Sequence, residues 1–180
     1  SRTAHDPPQD AGVTVVVGTG GVLDRFGQKV TVEDPATVLG WDLAISEVLD
    51  HRGDPDVRLT ELTARDEAFV MGLIVTLAGA VLGGDDPRSP TVRDALRELH
   101  GRCVGATVRE RDHAAAVADL VKGEFSRSAA RWEAVAEAHP HDVVATRVAH
   151  FVHLHVGDDE GRLRASTAVL DRLTPADPGY

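Results

Sequence analysis

Apolar residues recur along most of this chain at the three- and four-residue spacing of helices, and Gly, Pro and Asp mark where those helices start and stop. From Asp34 onward the helical pattern is continuous. Asp34-Pro35 reads as an N-cap followed by proline at the first helical position, and Val38, Trp41, Ile45 and Val48 then fall on one face. That helix stops at Arg52-Gly53-Asp54-Pro55, and a short second one covers about residues 55–64. A third, 66–82, is apolar nearly all round and is expected at the centre. Ser89-Pro90 caps a fourth, whose stripe is Val92, Ala95, Leu96, Leu99, Cys103 and Ala106. Four more follow at about 110–122, 125–138, 142–156 and 160–173, punctuated by Pro140, Pro175 and Pro178. The pattern therefore predicts an all-α fold of about eight helices.

Before Asp34 the pattern changes. Residues 1–12 are polar, contain Pro7-Pro8 and read as a flexible lead-in. Val13-Thr14-Val15-Val16-Val17 and Val30-Thr31-Val32 are β-branched throughout, and each reads as a short strand. Gly18-Thr19-Gly20-Gly21 and a turn at Phe26-Gly27 separate them. Two strands alone are marginal in water, so this segment is expected to pack on the helical body or pair with another chain. The chain thus divides into a flexible, short β-like segment, 1–33, and a helical domain, 34–180.

Within the helical domain the breaks repeat. Gly-acid steps close successive helices at Gly53-Asp54, Gly84-Asp85, Gly123-Glu124 and Gly157-Asp158, at spacings of 31, 39 and 34 residues. A period in the mid-thirties with a helix–turn–helix in each unit is the pattern of a tetratricopeptide-like antiparallel helix-pair array, an α-solenoid. One helix pair cannot bury both of its faces alone, so neighbours must stack. The best unit, about 109–142, has the turn glycine (Gly123), the large aromatic of the second helix (Trp132) and the closing proline (Pro140). It departs from the consensus where Asp119 takes a tyrosine position and Ser128 an alanine.

Several short stretches carry a family resemblance. Asp24-Arg25-Phe26-Gly27, Leu49-Asp50-His51-Arg52-Gly53-Asp54-Pro55 and Arg109-Glu110-Arg111-Asp112-His113-Ala114-Ala115 are three of them. Trp132-Glu133-Ala134, His139-Pro140-His141-Asp142, Ala149-His150 and Pro178-Gly179-Tyr180 complete the set. In this order, over residues 22–180, they resemble proteins related to tetratricopeptide repeat protein 38. The resemblance implies a helical-repeat fold with no settled catalytic activity. It also implies a missing piece, because proteins of that kind continue past this Pro-Gly-Tyr with a further helical half rich in His and Glu. Three readings follow: the helical domain, 34–180, is incomplete at its C-terminal end, its other half is a separate polypeptide, or this is a genuine short form.

Charge narrows the partners. The formal net charge of −10 offers no basic stripe to displace counterions from phosphates, which argues against nucleic acid and anionic membranes. The one cysteine, Cys103, excludes an intrachain disulfide and a thiolate metal cluster, and it lies on an apolar stripe, where it reads as core. The longest apolar run, 68–82, is broken by Gly72, Thr76 and Gly79, and no signal peptide is visible. A cytoplasmic location is the default. The chain opens on Ser1 rather than Met, which leaves room for a trimmed start.

Histidine is the residue type that invites chemistry, with six of nine between His113 and His155. His150 and His153 lie i, i+3 and reach one side of a helix, so a metal ion held by these two is the second reading. His155 lies two residues further, about 200° round, and does not join them. Repeat register gives the first reading. With Gly123 and Gly157 equivalent, His113, Val117, Arg147, Phe151 and His155 fall on the first helices of their pairs, facing a concave ligand or partner groove. Asp112 is too far round the helix to orient His113 directly, and the charge run around it reads as a solvated turn. Gly18-Thr19-Gly20-Gly21 is no dinucleotide fingerprint, since Leu23 stands at the third glycine position and no βαβ unit follows. Two functions remain. One is a non-catalytic scaffold whose groove binds a peptide, a protein partner, a second copy or its own missing half. The other is an enzyme or accessory protein that uses histidines with a metal or cofactor on a small molecule.

Overall fold

Caps and glycine steps set the boundaries of the helices. The structure is a computed structural model that describes residues 21–171 and residue 174. Among these the fold is all-α, with eight helices: α1 (Ala36–Asp50), α2 (Pro55–Arg65), α3 (Val70–Leu82), α4 (Pro90–Arg102), α5 (Val108–Val121), α6 (Phe125–Ala138), α7 (Val143–Val156) and α8 (Asp159–Leu170). Asp54, Ser89, Thr107 and Asp142 each accept an N–H of the first turn they precede, and Thr107 with Glu110 completes a capping box.

The helix ends show what the glycine spacing records. The N–H of Asp85 reaches Ala80 O, that of Glu124 reaches Asp119 O, and that of Asp158 reaches His153 O, at 2.9–3.0 Å. Gly84, Gly123 and Gly157 stand inside these six-to-one turns with φ of 103°, 78° and 72°, a left-handed backbone that glycine adopts without a Cβ penalty. At the end of α1 the same bond, Arg52 N to Glu47 O, is closed around His51 at φ 52° instead of Gly53. The residue equivalent to the other three is therefore His51, which changes the first spacing from 31 to 33 residues.

The described part of the N-terminal segment is one small hairpin. β1 (Val22–Leu23) pairs antiparallel with β2 (Lys29–Val30), Val22 opposite Val30 and Leu23 opposite Lys29. Its turn is held by Asp24, whose Oδ1 accepts from Phe26 and Gln28 at 2.9 and 2.8 Å. The strand expected at Val13–Val17 and the Gly18–Gly20 stretch lie outside the described residues. The hairpin packs on the helices as expected, with Val30 and Phe26 buried in the core. Asp66 ties down the chain that follows: its carboxylate accepts from Glu33 N, Asp34 N, Ala68 N and Thr37 Oγ1 at 2.8–3.2 Å. With that side chain so engaged, α3 begins at Val70 and not at Asp66.

Helix packing runs largely in sequence, α1 on α2 on α3 on α4, and α5 on α6 on α7 on α8. The apolar α3 also packs on α5 and α7, which makes it the central element. Trp41 and Phe69 meet edge to face beneath it, 5.5 Å between ring centroids, an arrangement worth about 1 kcal/mol beyond the area buried. The two departures from repeat consensus are accommodated in the interior. Ser128 Oγ donates to Ala116 O at 2.8 Å, and the buried Asp119 carboxylate takes Arg131 Nε at 2.6 Å and Arg127 Nε at 3.0 Å. No helix among the described residues is long and apolar enough to cross a membrane.

Candidate functional site

Three polar clusters gather the residues that the sequence singled out. The first is inside the protein. Arg109 and His113 lie i, i+4 on α5, and Asp142 at the start of α7 meets both, Oδ2 to Arg109 Nη1 at 2.5 Å and to His113 Nε2 at 2.8 Å. Trp132 Nε1 donates to His113 Nδ1 at 3.0 Å. An indole N–H can only donate, so Nδ1 accepts and the ring proton sits on Nε2, directed at Asp142. Burial pushes the Asp142 carboxyl up, but the His113 ring, the Arg109 guanidinium and the Ala145 N–H hold it well below the usual carboxylate range. Arg109 also donates to Lys29 O at 2.9 Å, and Glu110 accepts from Thr31 N and Oγ1 at 2.8 and 2.6 Å. The cluster fastens hairpin, α5, α6 and α7 together.

This corrects two expectations. Arg109 and Glu110 are not part of a solvated turn, being 7% and 0% exposed. His113 and Val117 do not face an open groove, because both are 0% exposed and α3 packs over that side of α5. With both nitrogens engaged and no solvent contact, His113 has no access to a substrate proton.

The second cluster fastens α8. His153 is buried, with Nε2 2.8 Å from Glu133 Oε1 and Nδ1 3.0 Å from Asp158 Oδ2. Carboxylates only accept, so in this arrangement both ring nitrogens donate and neither offers a lone pair to a metal. Arg164 Nη2 shares Glu133 Oε1 at 3.3 Å. The Gly161 N–H donates to Asp158 Oδ1 at 2.8 Å. That bond, with the one from His153, keeps the Asp158 carboxyl below its ordinary value against the upward push of burial. A Cβ at Gly161 would lie 2.2 Å from Asp158 Oδ2 and 2.4 Å from His153 Nδ1, so a larger residue there would push this side-chain pair apart. A recess of about 210 Å³ beside it, between α6, α7 and α8, is floored by Ala136, Ala149, Ala165 and Ala168. Glu133 and Arg164 pair at its edge, 3.3 Å apart, and Glu137 also lines it.

The third cluster is on the outer face of α7. Arg147 and Phe151 are half-buried, one turn apart, with the guanidinium carbon 4.8 Å from the ring centroid. One Arg147 Nη donates to His51 Nε2 at 2.8 Å, and its Nε is sealed from solvent with no partner among the described residues. His150 stands edge-on to Phe151, 6.0 Å between centroids. Burial, then the Arg162 and Arg147 charges, hold its imidazole below the ordinary histidine value. His155 is exposed and stacks on Phe125, 5.1 Å between centroids and 28° between planes. Leu154 is about half exposed between them.

The structure therefore brings together Arg147, Phe151 and His155 on one surface and separates them from His113 and Val117 in the core. His150 and His153 part company, one beside arginines and the other between carboxylates. Among the described residues no three His, Cys, Asp or Glu side chains are placed to hold a metal ion. The residue that sequence reasoning missed is His51. Its signal is an αL residue at a helix end, the position that glycine fills elsewhere in this chain. No protein-family model matches the chain, and no solved structure matches it. Fold and surfaces define its class: an all-α helical protein with polar clasps inside and a cation–aromatic face on α7.

Proposed function

We propose that the chain is a non-catalytic helical-repeat scaffold that holds an acid-bearing segment of a partner protein on the face formed by Arg147, Phe151, Leu154 and His155. One observation carries this reading. On a chain of net charge −10, Arg147 has no Asp or Glu among the described residues within 4.0 Å, and its guanidinium is instead stacked on an aromatic ring. A preoriented guanidinium without a carboxylate of its own is suited to a carboxylate from elsewhere. The net charge sets the kind of ligand. Its long-range field opposes a polyanion, so the segment presents one or two carboxylates among apolar residues that cover Phe151 and Leu154. The resemblance to tetratricopeptide repeat protein 38-like proteins supports the scaffold reading, and the single cysteine is in keeping with work in the cytoplasm. A histidine-dependent metal or cofactor enzyme has less support, since His113 and His153 already spend both ring nitrogens.

Peptide selection against the whole chain, counter-selected with an Arg147→Ala variant, tests the proposal. Selected peptides should share an acidic residue between apolar ones and should lose binding to Arg147→Ala and to Phe151→Ala. Peptides without an acidic residue, or with equal affinity for the variants, would refute it.

A further inference from the structure

An arginine carries five N–H donors and a charge it cannot shed. The Nε–H of Arg147 is sealed inside, while its Nη groups lie beside His51 at the end of α1 and its charge acts with that of Arg162 of α8 on His150. Only one Nη–H has a partner among the described residues, and that partner is an imidazole nitrogen. Having accepted on Nε2, the exposed His51 keeps Nδ1–H as a donor. Its backbone is the one non-glycine position at positive φ among the described residues, a conformation that costs an L-residue roughly 1 kcal/mol. His150, one turn along α7, adds a second imidazole. The groups facing His150 are Arg147 and His153 of α7 and Arg162 of α8. Of the two arginines, only Arg162 has a carboxylate, Asp159 at 2.9 Å. Arg147, His51 and His150 thus meet with no carboxylate paired to Arg147 among the described residues.

We propose that His51, Arg147 and His150 form a subsite for a single oxyanion, a carboxylate or a phosphate group. The inference rests on the binding role given above to this face and names the group that anchors the ligand. Two oxygens accept from the two Arg147 Nη groups, and His51, released as an acceptor, turns a protonated nitrogen toward the anion. His150 gains a counter-charge where it now faces cations, so binding takes up a proton from solvent. Anion affinity rises as pH falls through the histidine range, about tenfold for each unit by which the imidazole value recovers.

The test follows histidine ring signals of the full 180-residue chain by NMR during titration with sulfate, whose charge is constant, at pH 6 and pH 8. A parallel titration uses glutarate. His51 and His150 should shift together and saturably, several-fold more tightly at pH 6 than at pH 8, while the exposed His100 stays still. Tighter sulfate binding points to a phosphate group, tighter glutarate binding to a carboxylate. Arg147→Gln should abolish saturation. His51→Gly should weaken binding several-fold while leaving the protein at least as stable, because glycine suits that backbone; this variant carries the test if Arg147→Gln does not fold. Shifts that grow linearly, match those of His100 or survive Arg147→Gln mean an adventitious ion only and overturn the subsite. Peptides held through Arg147 with no sulfate or glutarate response also overturn the subsite, but not the scaffold. Saturable sulfate binding with no Arg147-dependent peptide overturns the scaffold reading and leaves the subsite.

Discussion

Replacing Asp142 by alanine removes three interactions at once, and their sum can be worked from the structure. Asp142 and Arg109 are 2% and 7% exposed, and their ion pair spans 2.5 Å. Without the carboxylate, Arg109 keeps a buried charge with only Lys29 O as partner, which costs about 3–5 kcal/mol. His113 Nε2–H is left unpaired, and α7 loses the cap at Ala145 N, worth about 1 kcal/mol. These overlap, so we expect a loss of about 4–5 kcal/mol, or roughly 10–15 °C in Tm for a chain of this length. Asp142→Asn keeps a capping oxygen but turns its amide N–H2 toward the Arg109 and His113 donors that Oδ2 accepted from, so its loss should approach that of alanine, about 3–5 kcal/mol. Urea titration followed by circular dichroism measures both. The pH dependence adds a signature. The folded carboxyl lies below its unfolded value, so the stabilisation is complete above the unfolded value near 3.9 and fades as pH falls below it. The asparagine variant should lack this share of the acid transition. A loss below about 1 kcal/mol in Asp142→Ala would refute the claim that this cluster clasps the hairpin and α5–α7.

Other substitutions separate packing from charge. Two glycines of α3 should respond with opposite signs. A Cβ at Gly72 would stand 2.3 Å from Thr63 Oγ1, so Gly72→Ala should destabilise by about 1–3 kcal/mol. Gly79 has nothing within 4 Å, so Gly79→Ala should stabilise by about 1 kcal/mol in the same unfolding assay. Gly161→Ala should break the His153–Asp158 pair and speed hydrogen exchange across α8 without changing α5 or α6. Since Asp158 is also held below its ordinary value, native α8 should loosen in the same way as pH falls below the ordinary aspartate value, near 3.9. Burial, then the Glu110 carboxylate, raise the Cys103 thiol above its ordinary value despite Arg111. Its alkylation at pH 8 should therefore be slower than that of a free cysteine.

Local signals made most of the helices legible. The stripe of α1, the Ser89-Pro90 cap and the limits of α6 are set by residues within a few positions of each other, and the structure keeps them. Trp132 of α6 is fully buried. What the pattern could not show is non-local. Arg109 and His113 look like part of a charge run until Asp142, 29 residues beyond His113, supplies the partner that lets them enter the core. Asp66 likewise looks like a helix start, but its carboxylate is spent on the backbone at Glu33 and Asp34. The glycine count misjudged α1 because His51 adopts the left-handed turn without being glycine. That displaced residue is also what brings an imidazole to Arg147, so the candidate site was only half visible from α7 alone.

The central claim is that the Arg147–Phe151 face, not the alanine-floored recess, receives a ligand. Amide and side-chain NMR shifts of the whole chain, mapped during titration with the tightest selected acidic peptide, test it most directly. Shifts should concentrate at His51, Arg147, His150, Phe151, Leu154 and His155. Shifts centred on Ala149, Ala165 and Ala168 with the Arg147 face unmoved would contradict it.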